Sequence, residues 1–310
     1  MRRVLVSGGS GFIGRHCLAP LNKLGFDVHA IHNTSSKDLN QHVTWHQVDL
    51  LDPTQAARII DAVRPSHLLH LAWSFGAGGA DAAPKGTSPF GYRWTVATLD
   101  LIRHFAEAGG QRLVTVGSSF EYDWGGDGIC IENKTPRIPS TYYGTCKNAL
   151  ADLIGGYSDH MGFSSAWARL FFLYGPYEPP ARLVPSVVCS LLRSKPALCS
   201  HGNQIRDYLY VQDAADALAF ILDSEVTGPI NVGSQQPTML KTIINQIGER
   251  IGRSDLIRLG ALQARPNEAP QVLADTTILS QRVGWSPRYD LDEGLDATIA
   301  WWRENIGSVN

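Results

Sequence analysis

Tyr143 and Lys147 stand four residues apart at the start of a helical stretch, Tyr143-Gly144-Thr145-Cys146-Lys147, so both fall on one face one turn apart. A phenol ionises near about pH 10, too high for efficient proton exchange at neutral pH. A lysine ammonium one turn away favours the phenolate. Bringing the phenol down by about three units would take roughly 4 kcal/mol of differential stabilisation. The pair is suited to proton transfer, but the same spacing also occurs on ordinary exposed helices.

A second group is suited to binding. Gly8-Gly9-Ser10-Gly11-Phe12-Ile13-Gly14 follows an apolar run and opens a helical pattern, with Gly8, Gly11 and Gly14 three apart. Glycines there permit a tight turn and close backbone approach, and the helix N-terminus offers free N–H groups to a pyrophosphate. This strand–turn–helix context is what a dinucleotide fingerprint requires. The second strand should then end at the adenosine ribose, where a carboxylate would accept from the 2′-hydroxyl and repel a 2′-phosphate. The sequence there is Ile31-His32-Asn33-Thr34-Ser35-Ser36-Lys37, with no acid. His32, Asn33, Ser35, Ser36, Lys37 and nearby Arg15 are compatible with a phosphate, which points to NADP with NAD as the alternative. Asp49, in Val48-Asp49-Leu50, is placed to accept from the adenine amino group.

These residues need a frame. Short β-branched runs at 3–7, 27–32, 44–48, 67–72 and 113–118 alternate with helical patterns at 13–24, 54–63, 92–108 and 143–160, and an apolar run follows at 165–174. Such alternation predicts a parallel sheet covered by helices on both faces. Beyond Gly175-Pro176 prolines and glycines multiply and the helices shorten, to 184–193, 213–222, 240–251 and 291–304. The expected organisation is a dinucleotide-binding domain over 1–175 and a smaller C-terminal substrate lobe over 176–310, with segments near 206–232 returning to the first domain. Ligands of such sheets sit beyond the carboxyl ends of the strands.

Composition excludes several classes. At net charge −2, no basic field points to nucleic acid. The absence of an apolar run of about 18 residues argues against a membrane span, and the start reads as a first strand, not a signal peptide. Cys17, Cys130, Cys146, Cys189 and Cys199 are odd in number and show no CxxC pairing, which fits reduced cytoplasmic thiols and no metal.

Taken together, 8–14, Asp49, His70-Leu71-Ala72, Gly117-Ser118-Ser119-Phe120-Glu121-Tyr122, 143–147, 169–176, Arg206-Asp207-Tyr208 and Asn231-Val232-Gly233 resemble the extended short-chain dehydrogenase/reductases of the NAD(P)-dependent epimerase/dehydratase family, which act on sugar nucleotides. The resemblance spans nearly the whole chain. It implies a Rossmann-type doubly wound α/β fold and a homodimer paired through the helices at 92–108 and 143–160, with Val96, Leu99, Ile102, Leu150, Leu153 and Ile154 supplying apolar surface. It implies a cofactor lined by Gly8, Ser10, Gly11, Phe12, Ile13, Gly14, His32, Asn33, Ser35, Asp49, Leu50, Leu71, Ala72, Tyr143 and Lys147. It makes Ser118 the hydroxyl that polarises a carbonyl beside Tyr143, with Ser119 its less favoured neighbour, and it places Arg206 and Arg265 against a diphosphate. Glu121 is a candidate accessory acid or a residue on a solvated face.

Within the family, 4,6-dehydratases carry an acid pair directly after the catalytic Ser or Thr, whereas this chain has Ser119 and Phe120. Phenylalanine transfers no proton, which disfavours dehydration. The run 118–122 is similar to that of nucleotide-sugar 4-ketoreductases, and an acid-free second strand suits a consumed NADPH. The expectation is reduction of a nucleotide-4-keto-6-deoxyhexose, with a 4-epimerase as the alternative and a catalytically silent NADP-binding sensor as the rival from another class. Phe172 and Trp94 stand where many relatives have Asn, so substrate placement differs from the usual one.

Overall fold

The computed structural model describes residues 2–33, 42–74, 90–264 and 268–308. Fourteen strands lie in them: β1 (Arg3–Ser7), β2 (Asp27–His32), β3 (Thr44–Gln47), β4 (His67–His70), β5 (Arg112–Ser118), β6 (Ile129–Cys130), β7 (Ser164–Leu170), β8 (Phe172–Tyr174), β9 (Ala197–Leu198), β10 (Ile205–Tyr210), β11 (Gly228–Val232), β12 (Pro237–Met239), β13 (Ile257–Arg258) and β14 (Gln271–Ala274). The helices are α1 (Gly14–Lys23), α2 (Pro53–Val63), α3 (Phe90–Glu107), α4 (Tyr142–Met161), α5 (Leu183–Leu192), α6 (Val211–Asp223), α7 (Leu240–Ile251) and α8 (Leu291–Asn305).

Seven strands form one parallel sheet in the order β11-β7-β5-β4-β1-β2-β3. Strand alternation divides its side chains between two cores. Val4, Val6, Leu69, Val114, Val116 and Ala168 pack with α1 and α6 on one face, and Leu5, Leu68, Leu113 and Trp167 pack with α2, α3 and α4 on the other. The doubly wound Rossmann-type expectation is met.

The apolar run at 165–174 is not one strand. β7 stays in the main sheet and β8 leaves it to pair with β10 in a second sheet, ordered β12-β10-β14-β6. The break is at Phe171, whose N–H is taken by the Val232 carbonyl at 3.1 Å. β11 and β3 are the edge strands of the main sheet, and α6 packs on α1. A third core joins α5, α7 and α8 around Trp302, Tyr174 and Ile247. No helix among the described residues is long and apolar enough to cross a membrane, and all five cysteines are buried free thiols.

Candidate active site

The glycine turn after β1, the end of β5 and the start of α4 meet at the carboxyl edge of the sheet. β5 delivers Ser118, 8% exposed, into a short 3-10 turn over Ser119–Glu121. Thr141 caps α4 by accepting the Gly144 N–H at 3.0 Å. Gly144 is required there, because a Cβ would collide with the Phe120 carbonyl. The helix start therefore presses directly onto the turn, and the Tyr143 hydroxyl meets that of Ser118 in a hydrogen bond. Ser118 Oγ also accepts the Phe120 N–H at 3.3 Å, so it caps the turn as well as contacting the phenol.

Lys147 reaches the same place from one turn further, but not as an ion pair with the phenol. Its Nζ donates to the Val116 carbonyl at 3.0 Å and lies 4.0 Å from the centre of the Trp73 ring. Burial holds this ammonium down to about 7, against the opposing charge of Glu121. Burial likewise pushes the Tyr143 phenol up to about 12, with the Glu121 charge acting in the same direction and the Ser118 hydrogen bond and Arg182 opposing it. The phenol is therefore a proton donor at neutral pH. Between about 7 and its ordinary value the unfolded lysine holds a proton that the folded one lacks, so this group makes stability rise with pH in that window. Lys147→Met is therefore expected to raise the denaturation midpoint at pH 7 while losing activity, and its advantage over the wild type should shrink towards pH 10. A midpoint difference flat across that range would refute the buried, strained lysine.

Aromatic rings line both sides of Tyr143. Trp73 meets it edge-on at 5.8 Å and leans on Trp94 at 6.5 Å, and Phe120 meets it at 6.2 Å and packs on Trp124 at 4.6 Å. The strip continues through Phe172 to Tyr208. Trp73 is absent from the sequence reading; its signal was a large aromatic directly after His70-Leu71-Ala72, beside the glycine turn.

Glu121 is neither a solvated residue nor a substrate acid. It is 0% exposed, and its carboxylate accepts from the Ser118 backbone N–H at 2.7 Å, from Trp167 Nε1 at 3.0 Å and from Arg169 Nε at 2.7 Å. The physical reason is the 3-10 turn, which breaks strand alternation and directs Glu121 under the sheet end. Ser119 is also turned inward, 2% exposed, with its carbonyl taken by Trp124 Nε1 at 2.8 Å. Arg206 is 3% exposed and paired with Glu268 at 3.0 Å, its guanidinium 5.6 Å from the centre of the Phe172 ring. Arg265 lies outside the described residues, as do Ser35, Ser36 and Lys37.

A family model described as the NAD dependent epimerase/dehydratase family matches residues 4–233, which contain the glycine turn, Ser118, Tyr143 and Lys147. The chain belongs to this family. The proteins it is similar to include a dehydratase and an epimerase. The dTDP-glucose 4,6-dehydratase of Neisseria meningitidis is 26% identical over 98% of this chain and 94% of its own. MoeE5, solved with UDP-glucose and NAD, is 26% identical with a TM-score of 0.84, covering 98% of this chain and 99% of that one. The UDP-glucose 4-epimerase of Thermotoga maritima has a TM-score of 0.87 at 22% identity, covering 98% and 99%, and shows the shared fold.

The residues present fit the dinucleotide of an epimerase/dehydratase. A Cβ on Gly14 would strike the Gly8 carbonyl, so only glycine lets α1 start this close to the turn. A Cβ on Gly11 would meet only the Gly8 carbonyl, at 3.1 Å, leaving space above the helix N-terminus for a pyrophosphate. The wall beyond is fixed by a buried relay. Ser7 Oγ accepts the Leu71 and Ala72 N–H groups at 3.0 and 3.1 Å and donates to His70 Nδ1 at 2.7 Å, while His70 Nε2 donates to Thr98 at 2.9 Å. Burial pushes His70 down to about 3, which keeps this tautomer neutral. Asp49 accepts the Leu51 N–H at 3.0 Å and is half-buried beside Leu50. At the end of β2, His32 is nearly buried against Trp45 and Asn33 is exposed. Arg15 is not directed there: its guanidinium holds the Ser10 and Gly11 carbonyls and stacks on Tyr177 at 3.7 Å.

Proposed function

We propose that the chain is an NAD(P)-dependent sugar-nucleotide oxidoreductase that reduces the 4-keto group of a nucleotide-4-keto-6-deoxyhexose. The observation that carries this reading is the turn after Ser118, which presents Phe120 to Tyr143 and withdraws Glu121 into an ion pair with Arg169. Removing water from a hexose needs an acid and a base beside the phenol, whereas an apolar wall suits a sugar already lacking its 6-hydroxyl. The protonated phenol favours the same direction: Tyr143 donates to a ketone oxygen, and the Ser118 hydroxyl holds that oxygen in line. A bound reduced nicotinamide would supply the hydride. Sugar-nucleotide specificity is supported by the dTDP-glucose and UDP-glucose named for the relatives.

The deciding experiment incubates the protein with NADPH and dTDP-4-keto-6-deoxyglucose, and separately with dTDP-glucose and UDP-glucose without reductant. Oxidation of NADPH with formation of a 6-deoxyhexose supports the reading. Conversion of dTDP-glucose to a 4-keto sugar would make it a dehydratase, conversion of UDP-glucose to UDP-galactose an epimerase, and cofactor binding without turnover on any of them a sensor.

NADPH is expected to bind at least about tenfold more tightly than NADH, the effect of one charge-assisted hydrogen bond. β2 ends in His32 and is followed by Asn33, neither of them an acid. Fluorescence titration with both cofactors measures this, and tighter NADH would turn the assignment towards the epimerase.

A homodimer through α3 and α4 is a further expectation. Ile102, Leu150 and Ile154 are consumed in the protomer's own core, so they are not interface residues. Tyr92, Val96 and Leu153 remain 67%, 42% and 52% exposed on those helices. Light scattering at micromolar concentration should give twice the chain mass, falling to one after Leu153→Asp.

A further inference from the structure

A cavity of about 500 Å³ lies between α4, the strands β7 and β11 at one edge of the main sheet, and the segment at 133–137. That volume is within the roughly 300–1,000 Å³ of small-molecule pockets. Ser118, Tyr143, Lys147 and the glycine turn are not part of its lining. Its floor comes from β7. Ser165, Trp167 and Arg169 are alternate residues of that strand, so their side chains share one face. Ser165 is held by Ser158 at 2.8 Å, and Trp167 Nε1 by Glu121 at 3.0 Å. Arg169 is not used up. Its Nε donates to Glu121 at 2.7 Å and its Nη1 to Tyr122 at 3.0 Å, but its Nη2 has no acceptor among the described residues, although the residue is only 3% exposed. Nη2 is not sealed in protein either, so its open side is the cavity. At the rim stand Lys134, exposed and without an ion pair among the described residues, and Arg137, whose pair with Asp152 at 2.8 Å is a surface one of little worth. Among the described residues Asp152 is the one acid of the lining, and nearby Glu132 is turned to the Asn231 N–H at 2.7 Å. The helix wall keeps the space open. Gly155 sits inside α4, where glycine is less stable than alanine. Packing does not require it, because a Cβ there would meet no atom within 4 Å.

We propose that this cavity is a second ligand site, which takes a small molecule carrying a phosphate or carboxylate group and seats that group on the Arg169 guanidinium. A guanidinium suits either oxyanion. Lys134 and Arg137 add positive charge at the entrance, and Pro136, Ile154 and Pro229 offer apolar contact to the rest of the molecule. The site is wired to the reacting centre. Arg169 holds Glu121, and Glu121 accepts the Ser118 N–H at 2.7 Å, so a ligand that draws on the guanidinium acts on the turn that carries Ser118. The proposal depends neither on the substrate nor on the direction of the reaction.

The test is titration calorimetry with inorganic phosphate and, separately, with succinate, at constant ionic strength and with saturating NADPH to fill the glycine turn. The wild type should bind one equivalent of at least one probe in the cavity; tighter phosphate names a phosphate group as the natural head, tighter succinate a carboxylate. Gly155→Leu puts a side chain into the open space and should abolish that binding, while anions held elsewhere on the protein persist in the variant and are thereby subtracted. Lys134→Ala should weaken it at least about tenfold, the scale of one charge-assisted contact. Failure of both probes to bind the wild type, or an affinity in Gly155→Leu equal to that of the wild type, overturns the proposal. If Gly155→Leu does not fold, the double variant Lys134→Ala, Arg137→Ala at the exposed rim decides alone, and unchanged affinity there overturns the proposal.

Discussion

Tyr143→Phe is expected to bind NADPH as the wild type does and to lose at least about a hundredfold in turnover, the scale of a lost general acid. The substitution removes one oxygen and leaves the ring where it packs, between Trp73 and Phe120. The glycine turn and the Ser7–His70–Thr98 relay are untouched, so cofactor affinity should be unchanged. What disappears is the proton donor that Ser118 orients and that burial keeps protonated. Single-turnover oxidation of NADPH by the variant is the measurement, and turnover within a few-fold of the wild type would remove Tyr143 from the mechanism. The Ser118→Ala variant should fall by a smaller factor, since Ser118 acts through position and polarisation.

Glu121→Ala is expected to destabilise the fold by about 3–5 kcal/mol, the range for breaking one side of a buried ion pair. Arg169 is 3% exposed and Glu121 0%, so truncation leaves a guanidinium without its carboxylate and the Ser118 N–H without its acceptor. Urea unfolding gives the number; a loss below about 1 kcal/mol would mean that water reaches the pair. Glu121→Gln should lose less, because an amide oxygen can still accept from Ser118 and Trp167. It also removes the negative charge that raises the Tyr143 phenol, so the high-pH limb of the rate profile should move to lower pH.

The residues legible in the sequence are those whose chemistry depends on local spacing. Gly8, Gly11 and Gly14 act within one turn, and Tyr143 and Lys147 within the next turn of a helix, so neighbouring letters suffice. β1, β4 and β5 were legible because both of their faces are buried in the two cores. What escaped depends on contacts distant in sequence. Glu121 was misplaced because alternation was extended one residue too far, into a turn whose partners Trp167 and Arg169 lie about two strands later in the chain. The interface list was half wrong because an apolar helix position does not say which neighbour covers it: Ile102 and Leu150 face the sheet, Val96 and Leu153 do not. Strands β6, β9 and β13 are two residues each, too short for any period to show.

The switch of the chain from β7 to β8 across the single residue Phe171 has a mechanical consequence. A hinge needs a few residues free to change their torsions. Here this link, one of several crossings between the two sheets, is a single residue, itself tied to Val232 and packed in the core around Tyr122 and Val272. The substrate side cannot swing on that joint as a rigid jaw. Any closing over a ligand must come from the surface loops, and the distance from Tyr143 to the β10 side of the pocket is set when the chain folds.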